Sequence, residues 1–395
     1  MDTAYVKSLT QAFKVVKEFD HDSYRFDHRQ EMREALKRII ETHGEEYLSD
    51  WLEYARANGE SDRRNGSWKR NLLTEFGNVV IEMKRTRLTS MAKVIEKYAR
   101  RAKQVNRAIL MCFLLGHSTR KVSEALQPIL GESFSASTVS RVARILDEQV
   151  AAFHSRRIKN RYVALQFDGV HISRKTGVGA KGKPVLVALG ITKDRKKEVI
   201  DYRLATSESE DEWTIFLNDL SRRGLTGEGV KIITIDGCQG MIKAIGMVFP
   251  GIPIQRCWAH KTRNLTNLVR KAHREELKKD LGKISHADTM RDAKKAFKKL
   301  KDKWGMEYPN VIKSLQRDID QLLEFFMFDK DSWRRSTRTT NNIERRFKEV
   351  RRRTRPMGAF SDRTSLDRIL FAVFSHENKN QGIPTLFSLP QNCLR

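Results

Sequence analysis

Hydrophobic positions along the chain change their period near residue 160. Before it, apolar residues recur at helical spacing. Leu36, Ile39 and Ile40, then Leu48, Trp51 and Leu52, form stripes in a stretch rich in both charges, which predicts amphipathic helices over residues 1–60. Residues 61–86 interrupt this with an Asn-Gly pair at 65–66 and two apolar runs separated by a glycine. That pattern suggests a small hairpin with a basic rim of Arg63, Arg64, Lys69 and Arg70. Helices resume over 91–150, broken at Gly116-His117-Ser118-Thr119. A helix over about 118–126, a loop marked by Pro128, Gly131 and Glu132, and a third helix from near Ser137 follow. On that third helix Val139, Val142, Ile145 and Leu146 share a face, leaving Ser137, Thr138, Ser140, Arg141 and Arg144 outward. A short helix, a turn and a helix with small polar residues and Arg near its start is what a major-groove reader needs. An ordinary helical hairpin with a Ser/Thr cap fits the same pattern equally well.

From 161 the period becomes that of strands. RYVALQFDGVHI, KPVLVALGITK and KEVIDYRLATS read as three successive strands. A helix over about 211–223, the short apolar strand VKIITIDG, a helix over 239–248 and a strand at 253–257 continue an α/β alternation. Residues 258–330 read as helical and Lys-rich, and helices at about 342–353 and 362–376 close the fold.

A length of 395 residues implies two to four domains, and 39% hydrophobic residues suffice for real cores. The formal net charge of +27 points to a polyanionic partner, with nucleic acid ahead of an anionic membrane surface. Four scattered cysteines, Cys112, Cys238, Cys257 and Cys393, contain no CxxC pair and fit a reducing compartment. No secretory signal and no apolar run long enough for a membrane span is evident, so a cytoplasmic, nucleoid-associated protein is expected.

Within this frame two carboxylates stand out. Asp168 and Asp236 each end an apolar strand in this reading and each precedes a glycine, in FDG and IDG. Asp168 shares its face with Ala164 and Gln166, and Asp236 shares its face with Ile232 and Thr234. If the strands are parallel neighbours, both carboxylates emerge at one edge of the sheet, where open α/β sheets place their sites. Two close carboxylates repel unless a cation lies between them, and Mg²⁺ suits hard oxygen ligands. Either Asp-Gly taken alone reads as a turn dipeptide. Glu344 lies near the start of a helix whose buried stripe is Ile343, Phe347 and Val350. Residues 334–355 hold ten Arg or Lys and only two Glu, a strip suited to phosphate contact by Arg345, Arg346, Arg351, Arg352, Arg353 and Arg355. A capping box, with Asn341 as N-cap, accounts for Glu344 as well as a metal or phosphate role does. Cys257 and His260 form a CxxH, but no second pair has zinc-site spacing. Trp258 and Trp333 could stack on a base, although core burial is the commoner use of such residues.

The ordered set FDG, IDG followed by Gly240, RCWAH and TTNNIERRFKEVRRRTRPMGAF resembles the Mutator-type transposases of bacterial insertion sequences. Asp236 lies 68 positions after Asp168, and Glu344 lies 108 after Asp236, spacings that agree with the family. The pattern from RNG through GHSTRKVSEAL to SASTVSRV also resembles the family's DNA-binding region.

The resemblance implies an RNase H-like catalytic core interrupted by an all-helical insertion. A mainly helical DNA-binding region with a helix-turn-helix would precede it. The expected division is 1–60 (helical, as a solvated face or a dimerisation contact), 61–150 (DNA binding), 151–257 and 331–395 (catalytic) and 258–330 (insertion). By the same resemblance Asp168, Asp236 and Glu344 bind two Mg²⁺ or Mn²⁺ ions and catalyse DNA cleavage and strand transfer. Cys257 and His260 would lie beside the site, at the base of the insertion. The implied partners are double-stranded DNA, as terminal inverted repeats and target, and a second copy of the chain. A non-catalytic repressor leaves the α/β half unexplained, and a resolvase or ribonuclease leaves the long insertion unexplained.

Overall fold

The computed structural model describes residues 28–93, 100–176, 179–329 and 331–385. They fall into two compact units, one of residues 28–110 and 120–138, the other of residues 111–119 and 139–385. The helices expected before residue 28 lie outside the described residues.

In the first unit, helix α1 (His28–Ala57) packs on a hairpin of β1 (Arg64–Thr74) and β2 (Gly77–Thr86). Alternation in β2 explains the packing. Val79, Ile81 and Met83 point inward to meet Leu48 and Met91, with Leu36, Ile40 and Tyr47 alongside. Ile39, expected in the stripe, is 55% exposed, because its place in the helical repeat turns it away from the hairpin. The hairpin turns at Glu75-Phe76, with Gly77 at φ +112°. Asn65-Gly66 instead occupies a register irregularity at the start of β1.

Four helices follow: α2 (Lys103–Leu114), α3 (Thr119–Leu130), α4 (Ala136–Ala143) and α5 (Asp147–Ser155). Helix α3 runs through Pro128, where a loop was expected. Proline at that point forfeits one hydrogen bond in the last turn, and the chain leaves the helix at Gly131 with φ +73°. The Ser135 hydroxyl accepts from the Thr138 N–H at the start of α4. Val139, Val142 and Leu146 are buried as expected, but Ile145 is 37% exposed. The chain tightens into a 3₁₀ turn over Arg144–Leu146, which shifts the phase of the stripe.

The second unit is built on a five-stranded mixed sheet of order β5-β4-β3-β6-β7. Strands β3 (Tyr162–Thr176), β4 (Gly179–Thr192) and β5 (Lys197–Leu204) form an antiparallel meander. Helix α6 (Glu210–Arg222) leads to β6 (Ile232–Ile235), and helix α7 (Gln239–Val248) leads to β7 (Ile254–Arg256). The last two strands run parallel to β3. Leu165, Phe167, Ile233 and Ile235 share one core with Trp213, Phe216 and Leu217 of α6 and Met241, Ala244 and Ile245 of α7. On the other face Gln166, Thr234 and Gln255 form a row of directly paired positions, all fully buried.

After β7 come α8 (Trp258–Thr266), α9 (Arg274–Ser285), α10 (Met290–Trp304), α11 (Pro309–Leu323) and α12 (Asp331–Thr337). Residues Trp258 to Phe326 of this stretch share a hydrophobic core of their own. Helices α13 (Asn341–Thr354) and α14 (Arg363–Asn380) then return to the sheet, on β3 and β5 respectively. Among the described residues no helix is long and apolar enough to cross a membrane.

One expectation needs correcting. Asp168 does not end its strand. Pairing with β6 stops near Gln166, but pairing with β4 continues to Thr176↔Gly179 and carries β3 eight residues past Asp168. The projecting end also exchanges backbone hydrogen bonds with Phe360 of the PMGAF segment, at 3.0 and 2.8 Å. Asp168 is therefore mid-strand, but it lies where the shorter parallel neighbour has just run out.

Candidate metal centre

The carboxylate positions follow from the sheet. β3 and β6 are parallel neighbours with Gln166 opposite Thr234, so Asp168 and Asp236 are at the same level, two residues on. Asp168 points away from the Phe167 core, is 4% exposed, and accepts from the Gly169 N–H at 2.8 Å through Oδ1. Its Oδ2 is buried without a hydrogen-bond partner among the described residues. Burial pushes the Asp168 carboxyl up to about 7. The His260 charge opposes this and the Asp236 charge adds to it.

Asp236 follows β6 and caps a turn, its Oδ1 accepting from the Cys238 N–H at 2.9 Å. Here the turn reading of Asp-Gly is correct. Gly237 has φ +98°, and a side chain there would collide with the Arg256 guanidinium, whose Nη2 donates to Gly237 O at 2.7 Å. Arg256 is held in turn by an ion pair with Asp318. At Asp168-Gly169 the turn reading fails, since both residues are extended strand.

Glu344 is delivered by the segment preceding α13. Gln166 Nε2 donates to Ser336 O at 2.8 Å and Thr339 O at 3.0 Å, and Thr234 Oγ1 donates to Thr337 O at 2.6 Å. Asn342 Nδ2 returns a bond to Gln166 Oε1 at 3.2 Å. The buried polar row thus satisfies a loop that would otherwise be costly to bury. The capping-box explanation of Glu344 does not hold. The N-cap is Thr340, with no side-chain cap, and its N–H goes to Cys257 Sγ at 3.3 Å, so no N-cap donor is left for Glu344. The Glu344 carboxylate instead faces His260 Nε2 at 3.6 Å and Arg351 Nη1 at 3.7 Å.

The CxxH motif opens α8. Cys257 is fully buried and also lies 3.5 Å from the Thr340 hydroxyl, which is itself 3.5 Å from His260 Nδ1. The hydrogen bond with Cys257 lifts the His260 imidazole to about 9, against its burial and with help from Asp168 and Asp236. Ligand atoms of Asp168, His260 and Glu344 all lie within 4.8 Å of one another. Asp236 is outside that tight group and acts on it through its charge.

The other expected residues divide. Arg345, Arg352 and Arg355 are exposed, while Arg351 and Arg353 are half-buried. Arg353 pairs with Glu349 at 2.7 Å and Arg352 with the same carboxylate at 3.0 Å. Arg346 is 4% exposed and donates to Asn342 O and Lys197 O, which makes it an interior tie and not a phosphate contact. On α4, Ser137 and Arg141 are exposed, as is Arg144 just beyond it, while Thr138 and Ser140 are half-buried. Trp258 is core, donating to Leu322 O at 2.7 Å, and Trp333 stacks on Phe328. Sequence reasoning missed the roles of Thr340 and of the Gln166–Thr234–Gln255 row. A polar residue recurring at one level of successive apolar strands was the available signal.

Asp168 and Glu344, brought together beside His260 with one Asp168 oxygen buried and without a hydrogen-bond partner among the described residues, define a candidate divalent-metal centre on an α/β sheet. The family model described as "Transposase, Mutator family" matches residues 7–382, and the chain belongs to that family. It is 30% identical over 320 residues to the transposase for insertion sequence element IS905 of Lactococcus lactis, covering 81% of each chain. It is 31% identical over 331 residues to that for IS406 of Burkholderia multivorans, covering 82% of this chain and 83% of the other. To the transposase for IS256 in transposon Tn4001 of Staphylococcus aureus it is 29% identical over 342 residues, covering 86% and 87%.

Proposed function

We propose that this Mutator-family transposase binds the terminal inverted repeats of an insertion sequence and cuts and rejoins DNA with Asp168, Asp236 and Glu344. The observation that carries the reading is the convergence of Asp168, His260 and Glu344 ligand atoms within 4.8 Å of one another, with Asp168 Oδ2 buried and without a hydrogen-bond partner among the described residues. A buried carboxylate oxygen without a hydrogen-bond partner among the described residues fits a cation ligand better than a structural role. Hard carboxylate donors suit Mg²⁺ or Mn²⁺, and Asp168, Asp236 and Glu344 would hold the ions. When bound, two such ions lower the pKa of the attacking hydroxyl and stabilise the leaving oxygen of an in-line displacement.

The chain's own residues do the rest. Arg351 and His260 hold Glu344 in place, Thr340 and Cys257 fix His260, and Arg256 holds the Asp236 turn. Water adds to the phosphorus at the element's end as the bond to the 3′ oxygen breaks, leaving a 3′-OH. That hydroxyl then attacks a target phosphodiester and displaces its 3′ oxygen, so one bond forms for each broken and neither ATP nor a covalent protein–DNA link is needed. The sheet order and the helical excursion between β7 and α13 support an RNase H-like core with an insertion at 258–330. Helices α3 and α4 support a helix-turn-helix, with Ser137, Thr138, Ser140, Arg141 and Arg144 toward the major groove. Arg345, Arg351, Arg352 and Arg353 would contact phosphates. Two element ends must be brought together, which favours a homodimer.

The test is incubation of DNA carrying the element's ends with the protein and Mg²⁺ or Mn²⁺. End-specific nicking and joining that vanish in Asp168→Ala, Asp236→Ala and Glu344→Ala support the proposal. Binding without cleavage under either metal refutes it.

A further inference from the structure

Two glycines in the aspartate motifs have no turn to make. Gly169 is mid-strand and Gly240 is in the first turn of α7, and neither has a positive φ. Both are explained by one segment, residues 208–210, which leads into α6. A Cβ on Gly169 would lie 2.3 Å from Glu208 Oε1. A Cβ on Gly240 would lie 2.7 Å from Glu210 N and 3.1 Å from Ser209 C. The Cys238 thiol, between Asp236 and Gly240, donates to Glu208 O at 3.6 Å. The chain just after Asp168 and the chain just after Asp236 therefore grip the Glu208 segment from two sides. That grip survives only while both positions lack a side chain.

Glu208 is half-buried, and its recorded ion-pair partner is His171 Nδ1, at 3.8 Å; no Lys or Arg pairs with it among the described residues. Its neighbour Glu210 is paired with Lys243 at 3.1 Å. Burial raises the Glu208 carboxyl, His171 opposes this, and the Asp236 charge raises it further, so Glu208 and Asp236 are within electrostatic reach. Between the end of β6 and the Phe360 bridge at Ser173–Lys175, this flank of β3 has no strand partner among the described residues. Side chains alternate along β3, so Asp168 lies on one face of the strand and Glu208, against Gly169, on the other. Asp168 Oδ2, buried without a hydrogen-bond partner among the described residues, is the same sign of a bound cation that carries the proposed function.

We propose that Glu208 is a fourth carboxylate of the metal centre, serving a divalent cation from the Asp236 side, and that Gly169 and Gly240 are glycine because Glu208 must come this close. The inference rests on the metal reading of Asp168, Asp236 and Glu344. Its test is Mn²⁺ binding by the full-length protein without DNA, followed by titration calorimetry and electron paramagnetic resonance. Wild type is expected to bind two ions. Glu208→Gln should weaken one of them by about tenfold or more while leaving the other, and Glu208→Asp should recover part of the loss. Gly169→Ala, which displaces the carboxylate without altering its charge, should reproduce the defect, and Glu210→Gln should bind as wild type does. Equal stoichiometry and affinity in Glu208→Gln and wild type, with binding lost in Asp168→Ala, would overturn the Glu208 assignment alone. No Mn²⁺ binding by folded wild type would overturn the metal reading and Glu208 with it.

Discussion

Glu344 occupies the fourth residue of α13, where a negative charge also favours the first turn of a helix, by about 0.3–1 kcal/mol. Any catalytic role must therefore be separated from that stabilising one. Glu344→Gln keeps the shape and removes the charge. Its thermal midpoint is expected to shift slightly, while end-nicking in Mg²⁺ falls by more than about 100-fold, since losing a ligand exceeds losing a ligand's hydrogen-bond partner. Parallel losses of stability and rate would assign Glu344 to the helix alone.

At the scale of elements, two ties hold the second unit around its sheet. His154 of α5 bridges Asp201 of β5 at 2.8 Å and Asp367 of α14 at 3.2 Å. Burial alone would depress the imidazole, but the two carboxylates outweigh it and lift it from 6.5 to about 9. A raised folded-state pKa means that this bridge stabilises fully below about pH 6.5 and is lost as pH rises through about 9. Chemical denaturation of wild type and His154→Gln should therefore differ most at pH 6 and converge by pH 10. A constant gap would rule the bridge out as a proton-linked tie. Gly116, in the turn between α2 and α3, has φ +104°, and a Cβ there would lie 2.7 Å from Arg353 O. Gly116→Ala should cost about 1–3 kcal/mol in the same assay; a neutral result would mean the turn can withdraw from α13.

The elements around the sheet were legible because their periods are clean, down to the 239–248 helix. What misled was the assumption that a strand ends with its apolar run. β3 continues through His171, Ser173 and Lys175 because β4 pairs with it throughout and Val170 and Ile172, alternating with these polar residues, are buried. Glu344 could not be separated from a helix cap by sequence, since the competitor for the Thr340 N–H, Cys257, lies 83 residues away. Glu208 was invisible for a similar reason, its only trace being glycines placed beside two aspartates.

For the whole molecule, a net charge of +27 sets how association responds to salt. With six or more phosphates neutralised, affinity for duplex DNA should fall by about 10³-fold between 50 and 200 mM salt. A flat salt response, measured by fluorescence anisotropy, would place the charge off the binding surface. The helical excursion has a separate consequence. Its entry and exit are fastened together where the Trp258 N–H donates to Arg338 O at 3.1 Å, so the chain between them leaves the sheet and returns to one point. Closing a longer excursion costs only about 0.6 kcal/mol per doubling. Met306, in the connection between α10 and α11, is 98% exposed. A reporter domain spliced in at that tip would ride on the enzyme while Asp236 and Glu344 kept their spacing.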